Sequence, residues 1–248
     1  MSSILEASGL TKIYREGGSE VYALRHLHLA IEEGETLAVT GESGAGKSTL
    51  LHMLGLLDVP TAGTVSYRGR RLDVLTSTEM AEIRNAHFGF VFQFFRLLPD
   101  LNALENVMLP DMIASSYLGW RRKKMKRTAC EALEKVGLAG RVRHKPSQLS
   151  GGEKQRVAIA RALVRNPDVI FCDEPTGNLD SKTSAEIHDL IFKLNRTSGQ
   201  TFVVVTHDTA LASRARRIVN MQDGGINEII ENSSPPEHAP ARNTAPAT

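Results

Sequence analysis

Gly41-Glu42-Ser43-Gly44-Ala45-Gly46-Lys47-Ser48 is the stretch of this chain whose residue types and spacing most directly imply chemistry. It fits the phosphate-binding loop pattern G-x-x-x-x-G-K-[ST]. Glycines let the backbone turn its N–H groups inward onto phosphate oxygens, where a side chain would block the approach. The helix expected to follow aims its positive end at the same anion. Lys47 would then reach the β- and γ-phosphates, the Ser48 hydroxyl would coordinate Mg2+, and Thr49 beside it joins the nucleotide contacts. The loop alone does not choose between a kinase, a GTPase, a motor and a transporter ATPase.

Other residues could complete such a site. Leu149-Ser150-Gly151-Gly152-Glu153 opens a second helix, running to about Arg165, and Ser150 and Glu153 have the spacing of a capping box. Two glycines in a first turn lower helix stability, which makes sense where something must come close, and a phosphate is one candidate. A well-capped helix is the plain alternative. Asp173 and Glu174 end the apolar run Val169–Cys172, at the strand end where α/β sheets bind ligands. His207 follows another such run, Phe202–Val205. Taken singly, His207 and Gln93 carry no function.

Leu149–Glu153 followed by Lys154-Gln155-Arg156 resembles the signature motif of ABC ATPases, and further motifs of that family follow in order along the chain. The resemblance implies that Asp173 holds Mg2+ through water, Glu174 is the general base toward the attacking water, and Gln93 senses the metal. It implies that His207 holds the γ-phosphate, that Asn178-Leu179-Asp180 is the D-loop, and that Tyr14 stacks on adenine. It also implies a head-to-tail homodimer, in which Ser150, Gly151 and Gly152 of one subunit face the ATP held by Lys47 of the other. The helical part would dock on transmembrane subunits, placing the protein at the cytoplasmic face of the inner membrane. Phe94–Leu101, Ala103–Val107 and Pro175–Asp180 look like lipoprotein-releasing ATPases, whose relatives are macrolide-type exporters and the cell-division ATPase. The chain departs from that group at Phe94-Phe95, where a histidine or tyrosine is expected. ABC proteins that work on DNA or the ribosome usually carry a coiled-coil insertion, zinc-binding cysteines or a second ATPase domain, and none is evident here.

These residues need a scaffold, and the sequence sketches an α/β one. Ile4–Leu10 and Ala23–Ile31 read as strands around a turn at 16–19, an N-terminal antiparallel β region. Thr36–Thr40 reads as a buried strand feeding the phosphate loop, and Lys47–Leu56 as the helix after it. Val169–Cys172 and Phe202–Val205 suit strands covered on both faces. Between them, from about 94 to 165, lies a helical stretch in which Met125, Ala129, Ala132, Leu133 and Val136 form one apolar face. The expected architecture is a P-loop NTPase core of ABC ATPase type over residues 1–230, with that stretch as an inserted helical subdomain. Residues 231–248, rich in Pro and Ala without periodicity, are expected to be disordered.

Composition narrows the function further. In 248 residues, 30 basic and 28 acidic side chains leave a net charge of +2, too balanced for a nucleic-acid partner. The run Arg121, Arg122, Lys123, Lys124, Lys126, Arg127 is either a solvated helix face or an attraction to an anionic membrane leaflet. Cys130 and Cys172 fit no metal or redox spacing and suit a reducing compartment. No apolar stretch approaches the roughly 20 residues of a membrane span. The start of the chain lacks the basic flank and apolar core of a signal peptide.

Overall fold

Gly17 and Gly18 reverse the chain between two strands of 14 residues each, β1 (Ser3–Glu16) and β2 (Ser19–Glu32). A computed structural model describes residues 3–114 and 119–232. Both strands outrun the expected Ile4–Leu10 and Ala23–Ile31. The reason is irregular register: pairing shifts between Ala7 and Leu10, Leu10 and Lys12, and Lys12 and Ile13, which breaks the two-residue alternation.

The chain continues through β3 (Thr36–Gly41), α1 (Lys47–Leu54), β4 (Ala62–Tyr67), β5 (Arg70–Arg71), α2 (Ser77–His87), β6 (Phe88–Phe92), α3 (Ala103–Ala114) and α4 (Gly119–Lys135). There follow α5 (Gly151–Leu163), β7 (Val169–Asp173), α6 (Ser181–Ser198), β8 (Thr201–Val205), α7 (Thr209–Ala212), β9 (Arg217–Gln222) and β10 (Gly225–Glu231). Two compact units result, one reaching to Leu75 and resuming at Ile191, the other spanning Thr76–Leu190.

In the first unit β2-β1-β4-β5 form an antiparallel sheet, and β10-β9-β3-β8 run side by side with β3 parallel to both β8 and β9. The β3 residues Leu37, Ala38 and Val39 and the β8 residues Phe202–Val205 are all buried, as continuous apolar runs in a covered parallel sheet should be. Buried Glu35 accepts two hydrogen bonds from the Arg217 guanidinium, at 3.1 and 2.7 Å, tying β9 to the turn before β3. Helix α1 stops two residues earlier than expected, because Leu56 takes a left-handed φ of 57°.

The second unit pairs β6 with β7 in parallel and packs α3, α4 and α5 together. Ala129, Ala132, Leu133 and Val136 are buried on α4 and Met125 is half-buried, bearing out that apolar face. Arg122, Lys123, Lys124, Lys126 and Arg127 are exposed, with Arg127 paired to Glu131 at 3.6 Å; the side chain of Arg121 lies outside the described residues. The expected insert of 94–165 falls inside this unit, which also holds α2, β6, β7 and the start of α6. At the other end, Glu231 still pairs with Arg217, and the Asn232 side chain bonds the Ser213 and Ala215 carbonyls. Order therefore persists two residues into the tail expected from 231; the rest of that tail lies outside the described residues.

Candidate functional site

The phosphate loop leaves β3 at Gly41, which pairs with Met221 of β9 at φ 138°. A Cβ there would run into the Met221 carbonyl oxygen, and one at Gly46 (φ 97°) into that of Ala23. Both positions need glycine because backbone walls them in. Gly46 caps α1 with no side-chain hydrogen bond, so the helix's first-turn N–H groups are not taken up by a capping side chain. Glu42, Ser43 and Gly44 are exposed and Ala45 is buried. Lys47 folds back over the loop, donating to the carbonyls of Gly41 at 3.0 Å and Glu42 at 2.7 Å. Ser48 and Thr49 are half-buried behind it.

His207 belongs to the same unit. Val39 of β3 pairs with Val205 of β8, so the phosphate loop and His207 leave parallel neighbours at the same end, the carboxyl end where α/β sheets bind ligands. The exposed His207 rides on a pinned turn. Thr206 N–H donates to the Val39 carbonyl at 3.1 Å, and Asp208 N–H donates to the Thr206 hydroxyl at 3.0 Å. Asp208 also caps α7, accepting from the Ala210 and Leu211 N–H groups. Tyr14 stands on β1 opposite Val21, 40% exposed, its hydroxyl donating to Asp58 at 3.2 Å.

The second unit collects the remaining candidates. Phe92 pairs with Asp173, so Gln93 and Glu174 also leave adjacent parallel strands at one end. Glu174 holds a left-handed φ of 48°, an uncommon conformation for a non-glycine residue and one that clusters at functional sites. The Gln93 amide donates to Asn178 Oδ1 at 3.3 Å, and the Asn178 amide returns a bond to the Gln93 carbonyl at 3.2 Å. Gly177 makes room: a Cβ there would lie 2.8 Å from Gln93 Nε2. Buried Thr176 and His188 share a hydrogen bond of 3.1 Å beneath this turn.

Ser150 forms the expected capping box: its hydroxyl accepts the Glu153 N–H at 3.2 Å and the Glu153 carboxylate accepts the Ser150 N–H at 2.8 Å. Those bonds to Ser150, and then the Arg141 guanidinium at 2.8 Å, hold the Glu153 carboxyl below its ordinary range. Ser150 remains exposed and Gly151 half-exposed, whereas Gly152 is buried. A Cβ at Gly152 would meet the Thr183 methyl, and one at Gly151 would lie 3.0 Å from Leu179. Asp180 accepts from the Thr183 N–H at 3.0 Å and its hydroxyl at 2.6 Å, and these bonds lower its pKa. The glycines therefore have a reason within the chain as well: α6 begins against them.

An ABC transporter family model matches residues 24–177, and that span runs from β2 through the phosphate loop and signature turn to the Glu174 turn. The chain belongs to the ABC transporter ATP-binding family. It is 50% identical over 91% of its length to the lipoprotein-releasing system ATP-binding protein LolD of Geobacter metallireducens, covering 99% of that protein. A protein of the same description from Xanthomonas campestris pv. campestris is 46% identical over 92% of the chain, covering 94% of that protein. A dimeric post-hydrolysis structure of the ATP-binding cassette MJ0796, bound to ADP and Pi, superposes with a TM-score of 0.84 at 42% identity, covering 93% of this chain and 99% of that one. The ABC ATPase fold expected from the motifs is thereby borne out, and the chain is an ATP-binding, ATP-hydrolysing subunit.

Several residues that bond to these turns and to Tyr14 stand out little in the sequence. Thr183 and Asp208 sit at helix starts and carry ordinary capping signals. Asp58 and Lys12 had none, because their pairing joins positions remote in sequence.

Proposed function

We propose that two copies of this ABC ATPase close head to tail on two ATP molecules and drive a separate membrane-spanning partner that releases lipoproteins from the inner membrane. The observation that carries the cargo reading is the 50% identity to a lipoprotein-releasing ATPase across nearly the full length of both proteins. The chain would work at the cytoplasmic face of that membrane; among the described residues no helix is long and apolar enough to cross one. The partner would dock on the helical subdomain.

The residues fit ATP and Mg2+ by their chemistry. Gly41 and Gly46 keep side chains out of the loop, and Lys47 supplies charge for the β- and γ-phosphates. The Ser48 hydroxyl and, through water, Asp173 would hold Mg2+, an ion that keeps several waters and takes few protein ligands. Mg2+ supplies neutralisation of charge on the γ-phosphate. Glu174 accepts the proton of the attacking water, His207 steadies the γ-phosphate oxygens, and Gln93 reports on the metal through its bonds to Asn178. The Ser150 hydroxyl uses an acceptor site in its capping box and keeps its own proton to donate, here to the γ-phosphate of the partner's nucleotide. Gly152, buried, offers only its backbone, and Asp180 orders the D-loop at the same contact.

The test is release of a lipid-modified protein from vesicles containing the copurified membrane subunits. ATP with the wild-type chain should detach it, and Glu174→Gln should not. Vigorous ATP hydrolysis without release would overturn the lipoprotein reading and favour an exporter of the macrolide type.

A further inference from the structure

Helix α1 begins at the phosphate loop and ends, about 12 Å away for eight residues, where the chain is fastened to β1. Four bonds involving side chains do the fastening. The Lys12 ammonium pairs with Asp58 Oδ2 at 2.7 Å and donates to the Val59 carbonyl at 2.8 Å. The Tyr14 hydroxyl donates to that same carboxylate oxygen at 3.2 Å, and Ile13 N–H donates to the Thr61 hydroxyl at 3.0 Å. The other Asp58 oxygen accepts the Val59 N–H at 2.7 Å.

Lys12 and Tyr14 stand two residues apart on β1, and Lys12 Nζ lies 5.0 Å from the centroid of the Tyr14 ring. Lys12 is buried, while Tyr14 keeps 40% of its surface open. The cation thus lies over one part of the ring, the carboxylate holds its hydroxyl, and part of the side chain stays open to solvent. Burying an ammonium carries a desolvation cost that an apolar side chain would avoid, and a pair of this kind is weak evidence for stability.

We propose that Lys12 and Asp58 are positioning residues for a base platform, fixing the plane of the Tyr14 ring so that its open surface receives the adenine of ATP. A ring already held in place loses little rotamer freedom on binding, which is how preorganisation raises affinity. Burial alone would push the Asp58 carboxyl up. The bonds from Lys12, Val59 and Tyr14 outweigh it and bring its pKa below the ordinary value. The proposal deepens the assignment of Tyr14 as the adenine contact and rests on it.

The experiment compares binding of ADP with binding of inorganic pyrophosphate, both with Mg2+, by calorimetry on the full chain. Tyr14→Phe keeps the ring and removes its bond to Asp58; Lys12→Met keeps the stem and removes the cation. Each should weaken ADP about threefold and leave pyrophosphate unchanged. Tyr14→Ala should weaken ADP about tenfold, again without touching pyrophosphate. A full loss in Tyr14→Ala with wild-type ADP affinity in both other variants would overturn the clamp and leave Tyr14 as the adenine contact. Unchanged ADP affinity in Tyr14→Ala would overturn that contact and the clamp together. Equal weakening of ADP and pyrophosphate in Tyr14→Phe would show a general defect of the unit and also overturn the clamp. Because Tyr14→Phe removes one hydroxyl from an exposed ring, it decides the matter even if Lys12→Met fails to fold.

Discussion

Two glycine-rich turns open helices in this protein, and they are built in opposite ways. The turn into α1 has no side-chain cap, and the atoms crowding Gly41 and Gly46 are the backbone carbonyls of Met221 and Ala23. The turn into α5 is fully capped by Ser150 and Glu153, and the atoms crowding Gly151 and Gly152 belong to the side chains of Leu179 and Thr183. The first is shaped by backbone walls and has no side chain capping its helix N–H groups. The second is locally complete, so its exposed serine can meet a nucleotide from outside without carrying the fold. In the function proposed above, the first turn holds the nucleotide, and the second, together with Glu174, acts on it.

The sharpest separation of these roles is Glu174→Gln against Lys47→Ala. Glu174→Gln should cut turnover by about 10²- to 10⁴-fold while ATP still binds, since an amide cannot take the proton of the attacking water. Single-turnover hydrolysis and ATP binding measured on the same sample check it. Lys47→Ala should show the reverse emphasis, with ATP affinity reduced about tenfold or more by loss of a charge-assisted contact. Fluorescence titration reads that directly.

The contrast in packing predicts which glycine can be rescued. Gly46→Ala should destabilise the protein by about 1–3 kcal/mol, because a left-handed residue would press on backbone, and no single side-chain change should restore it. Gly152→Ala presses on the Thr183 methyl, so adding Thr183→Ser should recover most of the lost stability. Thermal unfolding of both pairs measures the difference.

The smallest effect concerns the cap itself. Ser150→Ala should lower stability by about 1 kcal/mol, the usual value of an N-cap. Its partner Glu153 has a depressed pKa in the folded protein, so its contribution is complete above the ordinary value of 4.5 and fades as pH falls through the lower folded value. Glu153→Gln should flatten that part of the stability profile below pH 4.5, and denaturant unfolding between pH 3 and 6, a range of about three units around that value, records it.

Motifs that carry their own geometry were readable from sequence. The phosphate loop and the Ser150–Glu153 box fall where their spacing demands, and β3, β7 and β8 announce themselves as unbroken apolar runs. Helix α6 could have been read from Ile187, Leu190, Ile191 and Leu194, which recur at helical spacing and are all buried. Helix α2 could be found only by its Thr76–Glu79 capping box, since no residue on it is buried and no apolar stripe marks it. What sequence does not display is long-range pairing and unusual backbone. The Lys12–Asp58–Tyr14 cluster joins a strand to a loop 44 residues away, and the left-handed Glu174 sits in a stretch with no glycine at that position to signal it.

The shared site between two copies is tested most directly by a disulfide between Ser43→Cys and Ser150→Cys. Both positions are exposed, one on each kind of turn. Cys130 should be replaced by Ala, while Cys172 can stay, because complete burial and then the neighbouring Asp173 push its thiol far up and out of reach. In a Glu174→Gln background, head-to-tail closure predicts a crosslink between subunits that forms with ATP and not without it. A crosslink within one subunit, or one that forms equally without nucleotide, would contradict the shared site.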